Sequence, residues 1–187
     1  MRTLVLLVIL LAACIVLALD TSSEYVGKYR VLKKYGDGPA AAAVLGSVVA
    51  RTKSLLESSR GDARIERIAA RWSGSVSELD LGGDTIAHSV GKRDISLCIR
   101  DTGTGLSGVN TCMFVMIHEL AHVATISVGH TDEFWANYKF LLERAEKCGA
   151  YQHQEHPARL CGKNLGASPA ECSVVKRSCA AEKFQAV

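Results

Sequence analysis

The stretch NTCMFVMIHELAHVA, from Asn110 to Ala124, reads as a helix that is apolar almost all the way round. Such a helix belongs in the middle of a domain, because it has no polar face to turn to water. Asn110 and Thr111 are its N-cap candidates. Set among the apolar residues are His118, Glu119 and His122. Burying three ionisable groups is costly unless they bind something. Histidines four residues apart project from one helical face and can meet one ion, with Glu119 at the rim of that face. This is the physical content of the HExxH pattern. A surface helix with incidental His and Glu would show polar neighbours, and this one shows apolar ones.

Zinc held by neutral imidazoles with one position left open lowers the pKa of its water from about 16 to about 7. Glu119 is placed to accept that proton and pass it to a leaving amine. A catalytic zinc needs a third protein ligand. The candidates are His130, Asp132 and Glu133, and more distantly His88, His153 and His156. His130 leads, because Gly129 can turn the chain after the helix ends near Ser127, and a new helix begins at Asp132. Asp132 and Glu133 are also accounted for as first-turn acids favoured by the helix dipole. The helix from Asp132 to about Cys148 carries Phe134, Tyr138, Leu141, Leu142 and Ala145 on one side, with Gly149 as its cap. These residues are expected to pack on the metal helix. Trp135 suits either the core or a substrate.

Upstream, a helix is predicted from Asp37, with Pro39 in its first turn and Val44, Leu45, Val48, Val49, Leu55 and Leu56 on its apolar face. A shorter one runs from Asp62 to Trp72, with Ile65 and Ile68 inward. Between Ser73 and Arg100 the period changes to two, and Gly82-Gly83 and Gly91-Lys92 mark turns, which predicts a small antiparallel sheet. The glycine-rich stretch from Asp101 to Gly108 lacks the Lys and Ser/Thr of a phosphate-binding loop and reads as a connection. Helices and a short sheet together make an α+β domain. At 187 residues the chain has room for one ordinary domain.

One unbroken block of the apolar content lies at one end, where Leu4 to Leu19 contains no polar side chain other than Cys14. As a helix this run spans about 24 Å, slightly short of a hydrocarbon core of roughly 30 Å. The leading expectation is an uncleaved transmembrane anchor over residues 1–19, making a single-pass membrane protein. A cleaved signal peptide ending at Val16 and Ala18, with secretion of the rest, is the alternative. A lipoprotein signal at Cys14 ranks lower, since the sequence stays apolar after the cysteine. Lys28, Arg30, Lys33 and Lys34 outnumber Arg2, so the positive-inside rule favours a cytoplasmic domain. Six of the seven cysteines lie outside the run. Cys98 and Cys112 read as buried apolar residues, which leaves Cys148, Cys161, Cys172 and Cys179 as plausible bridge partners. Residues 20–37 read as a basic linker, 38–166 as the domain and 167–187 as a cysteine-containing tail.

HELAH followed by VGHTDEFW resembles the WLM and SprT-like zinc metalloproteases, in the variant found in large DNA viruses of algae. The preceding ISLCIR strand, the Leu141-Leu142 pair, Tyr151 and the segment from Pro157 to Gly162 extend the likeness over residues 38–166. The resemblance implies a zincin-like domain in which a short antiparallel sheet backs the HExxH helix. It also implies His118, His122 and His130 as zinc ligands and Glu119 as the catalytic base. Relatives in that family act on proteins crosslinked to DNA or linked to ubiquitin-like modifiers, so nucleic acid enters as a partner by resemblance alone. A net charge of +3 gives it no bulk electrostatic support.

The leading expectation is therefore a membrane-anchored zinc endopeptidase acting on a protein or peptide substrate, with residues 4–19 in the membrane. A non-catalytic, zinc-stabilised binding module is the alternative, disfavoured because a purely structural site has no use for Glu119. A third reading, in which the basic linker binds anionic lipid or nucleic acid, rests on four cations among three acids.

Overall fold

In the computed structural model of the protein, residues 22–80, 85–101, 105–154 and 159–165 are described. The apolar helix, α3 (Val109–Ala124), forms the centre of the domain. Met113, Met116, Ile117, Leu120 and Ala121 are fully buried. Each of the larger side chains contributes about 1.5–3 kcal/mol by leaving water. α3 touches α1 (Gly38–Ser58), α2 (Ala63–Arg71) and α4 (Asp132–Lys147), and a sheet lies against it as well.

That sheet has three strands in the order β3-β5-β4: β3 (Val76–Glu78), β4 (Ala87–Val90) and β5 (Asp94–Leu97). β4 and β5 form the expected antiparallel hairpin, with Ser89 opposite Ile95. β3, however, runs parallel to β5, so the sheet is mixed where an antiparallel one was expected. Strand order is a non-local property that alternation along one strand does not carry. Val76, Ala87, Ile95 and Leu97 form the buried face, and β4 is the edge strand nearest α3. The architecture is α+β, with four α-helices and small sheets among the described residues.

Three local expectations change. The segment read as a linker folds as a hairpin, β1 (Ser23–Val26) and β2 (Tyr29–Leu32), closed through Gly27 at φ +60°. Val31 and Leu32 are buried, and β2 lies against β3 and α1. The N-cap of α3 is Gly108, because the Asn110 amide binds the backbone of Gln152 instead, donating to its carbonyl at 2.7 Å and accepting from its N–H at 2.8 Å. Cys98, expected to be a free core residue, is bonded to Cys161 across 63 residues. Cys161 lies between the two-residue strands β6 (Arg159–Leu160) and β7 (Lys163–Asn164).

The expected single-pass membrane localisation is corrected. Among the described residues no helix is long and apolar enough to cross a membrane. The longest, α1, has 21 residues but carries Arg51, Lys53 and Glu57. The most apolar, α3, has 16 and is wrapped by protein. Residues 4–19, the basis of both the anchor and the cleaved-signal expectation, lie outside the described residues, as do the tail 167–187, Cys172 and Cys179.

Candidate metal centre

α3 presents His118 and His122 one turn apart, with their Nε2 atoms separated by 3.2 Å. His130 comes from the connection between α3 and α4, where Gly129 at φ +85° allows the chain to turn back. Its Nε2 lies 3.1 Å from that of His118. The three ligand atoms lie within 4.8 Å of one another. Among the alternatives for the third position, Glu133 is taken up by the Ile126 and Ser127 N–H groups, and Asp132 is exposed in the first turn of α4. His88 stands opposite Ser96 in the sheet, and His153 is exposed and paired with Glu146 at 3.6 Å. His156 lies outside the described residues.

The donor set fits a zinc ion. Nitrogens bound tetrahedrally at about 2.0–2.1 Å stand roughly 3.3 Å apart, close to the spacings of His118 to its two neighbours. Hydrogen bonding alone serves this cluster poorly. His118 Nε2 faces two other ring nitrogens but offers one proton or one lone pair, never both. Burial also keeps the rings in the neutral, ligating form. It pushes His118 well below the ordinary histidine range and His122 down to about 4, with the neighbouring imidazoles adding to both shifts. His130 is lowered by burial too.

Aromatic side chains of α4 hold the imidazoles in place. Phe134 stacks on His122, with centroids 4.3 Å apart, and meets His118 and His130 edge-on at 4.9 and 4.6 Å. Trp135, which the sequence left between core and substrate contact, is half-buried and stacks on His130 at 5.7 Å. Tyr138 meets His118 edge-on at 5.3 Å.

Glu119, one residue along from His118, is 2% exposed. Burial pushes its carboxyl up to about 7, opposed by a hydrogen bond from the Ser89 side chain on β4. A carboxyl in that range can take up and return a proton near neutral pH. Sequence reasoning missed Ser89, which has no local signal because it reaches Glu119 only once β4 is laid on α3. It also missed the cations around the end of α3. Arg67 and Arg71 donate to the Ala124 and Val123 carbonyls, and Lys92 to those of Thr125, Ile126 and Ser127.

No family model matches the chain. The uncharacterized protein 136R of Invertebrate iridescent virus 6 is 34% identical over 79 residues, 41% of this chain and 44% of that protein. An uncharacterized protein of Acanthamoeba polyphaga mimivirus is 36% identical over 74 residues, 37% of this chain and 38% of that protein. The chain thus spans less than half the length of these curated relatives. Among solved structures, a mutant of Wss1 from S. pombe is similar with a TM-score of 0.43 and 24% identity, over 61% of this chain and 91% of that one.

Proposed function

We propose that the protein is a zinc-dependent metallopeptidase that hydrolyses peptide bonds of a protein or peptide substrate. The observation that carries this reading is the convergence of three imidazoles, His118, His122 and His130, with the buried carboxyl of Glu119 one residue along from His118. The resemblance of HELAH and VGHTDEFW to the WLM and SprT-like proteases points the same way. Bound by the three histidines, zinc would supply Lewis acidity at a position left open to water and to the scissile carbonyl.

The chain's own residues would do the rest. A carboxylate oxygen of Glu119 takes a proton from the attacking water and later delivers it to the nitrogen of the leaving amine. The Ser89 hydroxyl orients that carboxylate. Phe134 and Trp135 shield the imidazoles from water and fix their planes. β4 pairs with β5 on one side, and its other edge has no partner among the described residues. An extended substrate backbone can add to such an edge, and Ser89 places that edge beside Glu119. Exposed Ile126 and Val128 flank the His130 turn and offer apolar contact to substrate side chains.

The test is cleavage of an unfolded protein such as casein by the zinc-loaded full chain and by Glu119→Gln. Loss of a general base costs about 10²–10⁴-fold in rate. A Glu119→Gln protein that keeps its zinc and loses at least 100-fold in rate supports the proposal. Equal cleavage by both proteins, or no bound zinc in either, would sink it.

A further inference from the structure

Phe134 and Trp135 pack on the His130 ring, but the residues just before it have little apolar packing. Ile126 is 68% exposed and Val128 89% exposed, and Gly129 has no side chain. A loop without buried apolar contacts opens at small free-energy cost, yet His130 has to meet His118 and His122 within a few tenths of an ångström. What fixes residues 125–127 is polar and comes from two directions.

From the β4–β5 turn, the Lys92 ammonium donates to three successive carbonyls, those of Thr125, Ile126 and Ser127, the latter two at 3.2 and 3.1 Å. An ammonium has three N–H donors, so its capacity matches this cradle. From the first turn of α4, Glu133 accepts from the Ile126 N–H at 3.0 Å, the Ser127 N–H at 3.3 Å and the Ser127 hydroxyl at 3.1 Å. Ser127 and Thr131 join their hydroxyls at 2.8 Å across the turn, and Asn137 donates to the Thr125 hydroxyl at 2.9 Å. Carbonyls are gripped by a cation and N–H groups by an anion, on consecutive residues just before Val128, Gly129 and His130. Arg67, which also reaches the Ala124 carbonyl, stands 4.0 Å from the Glu133 carboxylate.

We propose that Lys92 and Glu133 are positioning residues of the metal centre, a two-sided clamp on residues 125–127 that delivers the His130 imidazole to the ion. The inference rests on the three-histidine reading of the site. It concerns metal affinity rather than hydrolysis. Neither residue is one of the three ligand donors: the Lys92 ammonium is spent on three carbonyls, and Glu133 spends both carboxylate oxygens on the loop.

The experiment titrates the full chain with zinc against a competing chelator, and with cobalt to read the d–d spectrum. It compares wild type, Lys92→Met, Lys92→Arg, Glu133→Gln, His130→Ala and the double variant Lys92→Met/His130→Ala. Removing an outer-shell partner costs about 10–100-fold in metal affinity. Lys92→Met and Glu133→Gln should weaken zinc by about 10-fold or more and shift the cobalt spectrum toward that of His130→Ala, and Lys92→Arg should recover part of the loss. In the His130→Ala background Lys92→Met should no longer weaken zinc, because a residue that acts through His130 has nothing left to position and only the field of its charge on His122 remains. Additive losses, or wild-type affinity and spectrum in both clamp variants, would overturn the proposal. If a clamp variant folds poorly, the circular dichroism of its metal-free form shows it, and the other variant and the double-mutant comparison still decide. A clamp that fails while Glu119→Gln still abolishes cleavage leaves the peptidase reading standing. A wild-type chain that binds no zinc removes both.

Discussion

At the scale of single residues, the three-histidine cluster was legible wherever its spacing is local. His118 and His122 lie one turn of helix apart, so the 3.6-residue period alone sets them on one face with Glu119 at its rim. His130 was recoverable from Gly129 before it and the helix start after it. Lys92 and Ser89 were not, because each meets α3 only after the sheet is in place. The residue with the plainest unresolved cost is Tyr138. It is 2% exposed and its hydroxyl has no partner among the described residues, while its ring packs on His118 and, at 5.8 Å, on Phe114. Burial pushes its phenol well above the ordinary range, so it stays neutral. An unsatisfied buried hydroxyl costs about 1–3 kcal/mol. Tyr138→Phe removes that oxygen and keeps the ring, and is expected to raise stability by about 1 kcal/mol. A shift of the urea midpoint at constant slope reads this directly. A loss of stability would mean that the hydroxyl is satisfied in solution.

At the scale of elements, α2 illustrates how a short surface helix serves a site it does not enter. Its Arg67 and Arg71 reach the last carbonyls of α3, where cations are favoured by the helix dipole. α2 itself starts on Asp62, whose Oδ1 accepts from the Arg64 N–H at 2.9 Å while its carboxylate pairs with the Arg64 guanidinium. Helix starts of this kind are written locally, and this one was legible. The start of α3 was misread because Asn110 is drawn away by Gln152, more than forty residues later in the chain. Asp62→Ala is expected to lower stability by about 1 kcal/mol, the usual effect of losing an N-cap. The pH dependence has a definite sign. Chiefly through its hydrogen bonds from Arg64, the Asp62 carboxyl falls from 3.8 to about 2. Its contribution is therefore complete above pH 4 and is lost as pH falls toward 2. Asp62→Asn keeps a capping oxygen but cannot titrate, so its stability profile should be flatter than wild type between pH 4 and 2. Denaturant titrations at several pH values check both variants, and parallel profiles for wild type and Asp62→Asn would contradict the assignment.

At the scale of the whole molecule, two long-range links tie the periphery to the core, and neither could be read from local pattern. One is Arg100, fully buried, which donates to Glu78 at 2.8 Å and to both oxygens of Asp37 at 2.6 and 2.8 Å. Glu78 also accepts from the Leu32 N–H at 2.8 Å, so one cluster joins β2, β3 and the start of α1. Arg100→Met would leave the buried Glu78 carboxyl without its guanidinium partner and is expected to cost about 3–5 kcal/mol. Its denaturation midpoint should fall accordingly, whereas a change under 1 kcal/mol would show that the cluster relaxes. The other link is Cys98–Cys161. The β6–β7 hairpin has two residues per strand, too few to be stable alone. It is held by buried Leu160 and Leu165, by the Cys161 N–H donating to the Arg100 carbonyl at 2.9 Å, and by the disulfide. Closing 63 residues constrains the unfolded chain by about 4 kcal/mol in the chain-entropy account. Cys112 cannot stand in as an exchange partner, since it is buried and burial pushes its thiol up to about 12. The paired Cys98→Ser and Cys161→Ser variant is therefore expected to lose up to about 4 kcal/mol. Amide exchange should show residues 159–165 opening first, while α3 stays protected and zinc affinity holds within about twofold, because the disulfide and the Cys161 N–H join the hairpin to Cys98 and Arg100 and not to a histidine. Loss of α3 protection at the same denaturant concentration as the hairpin would mean that the disulfide supports the whole core at once.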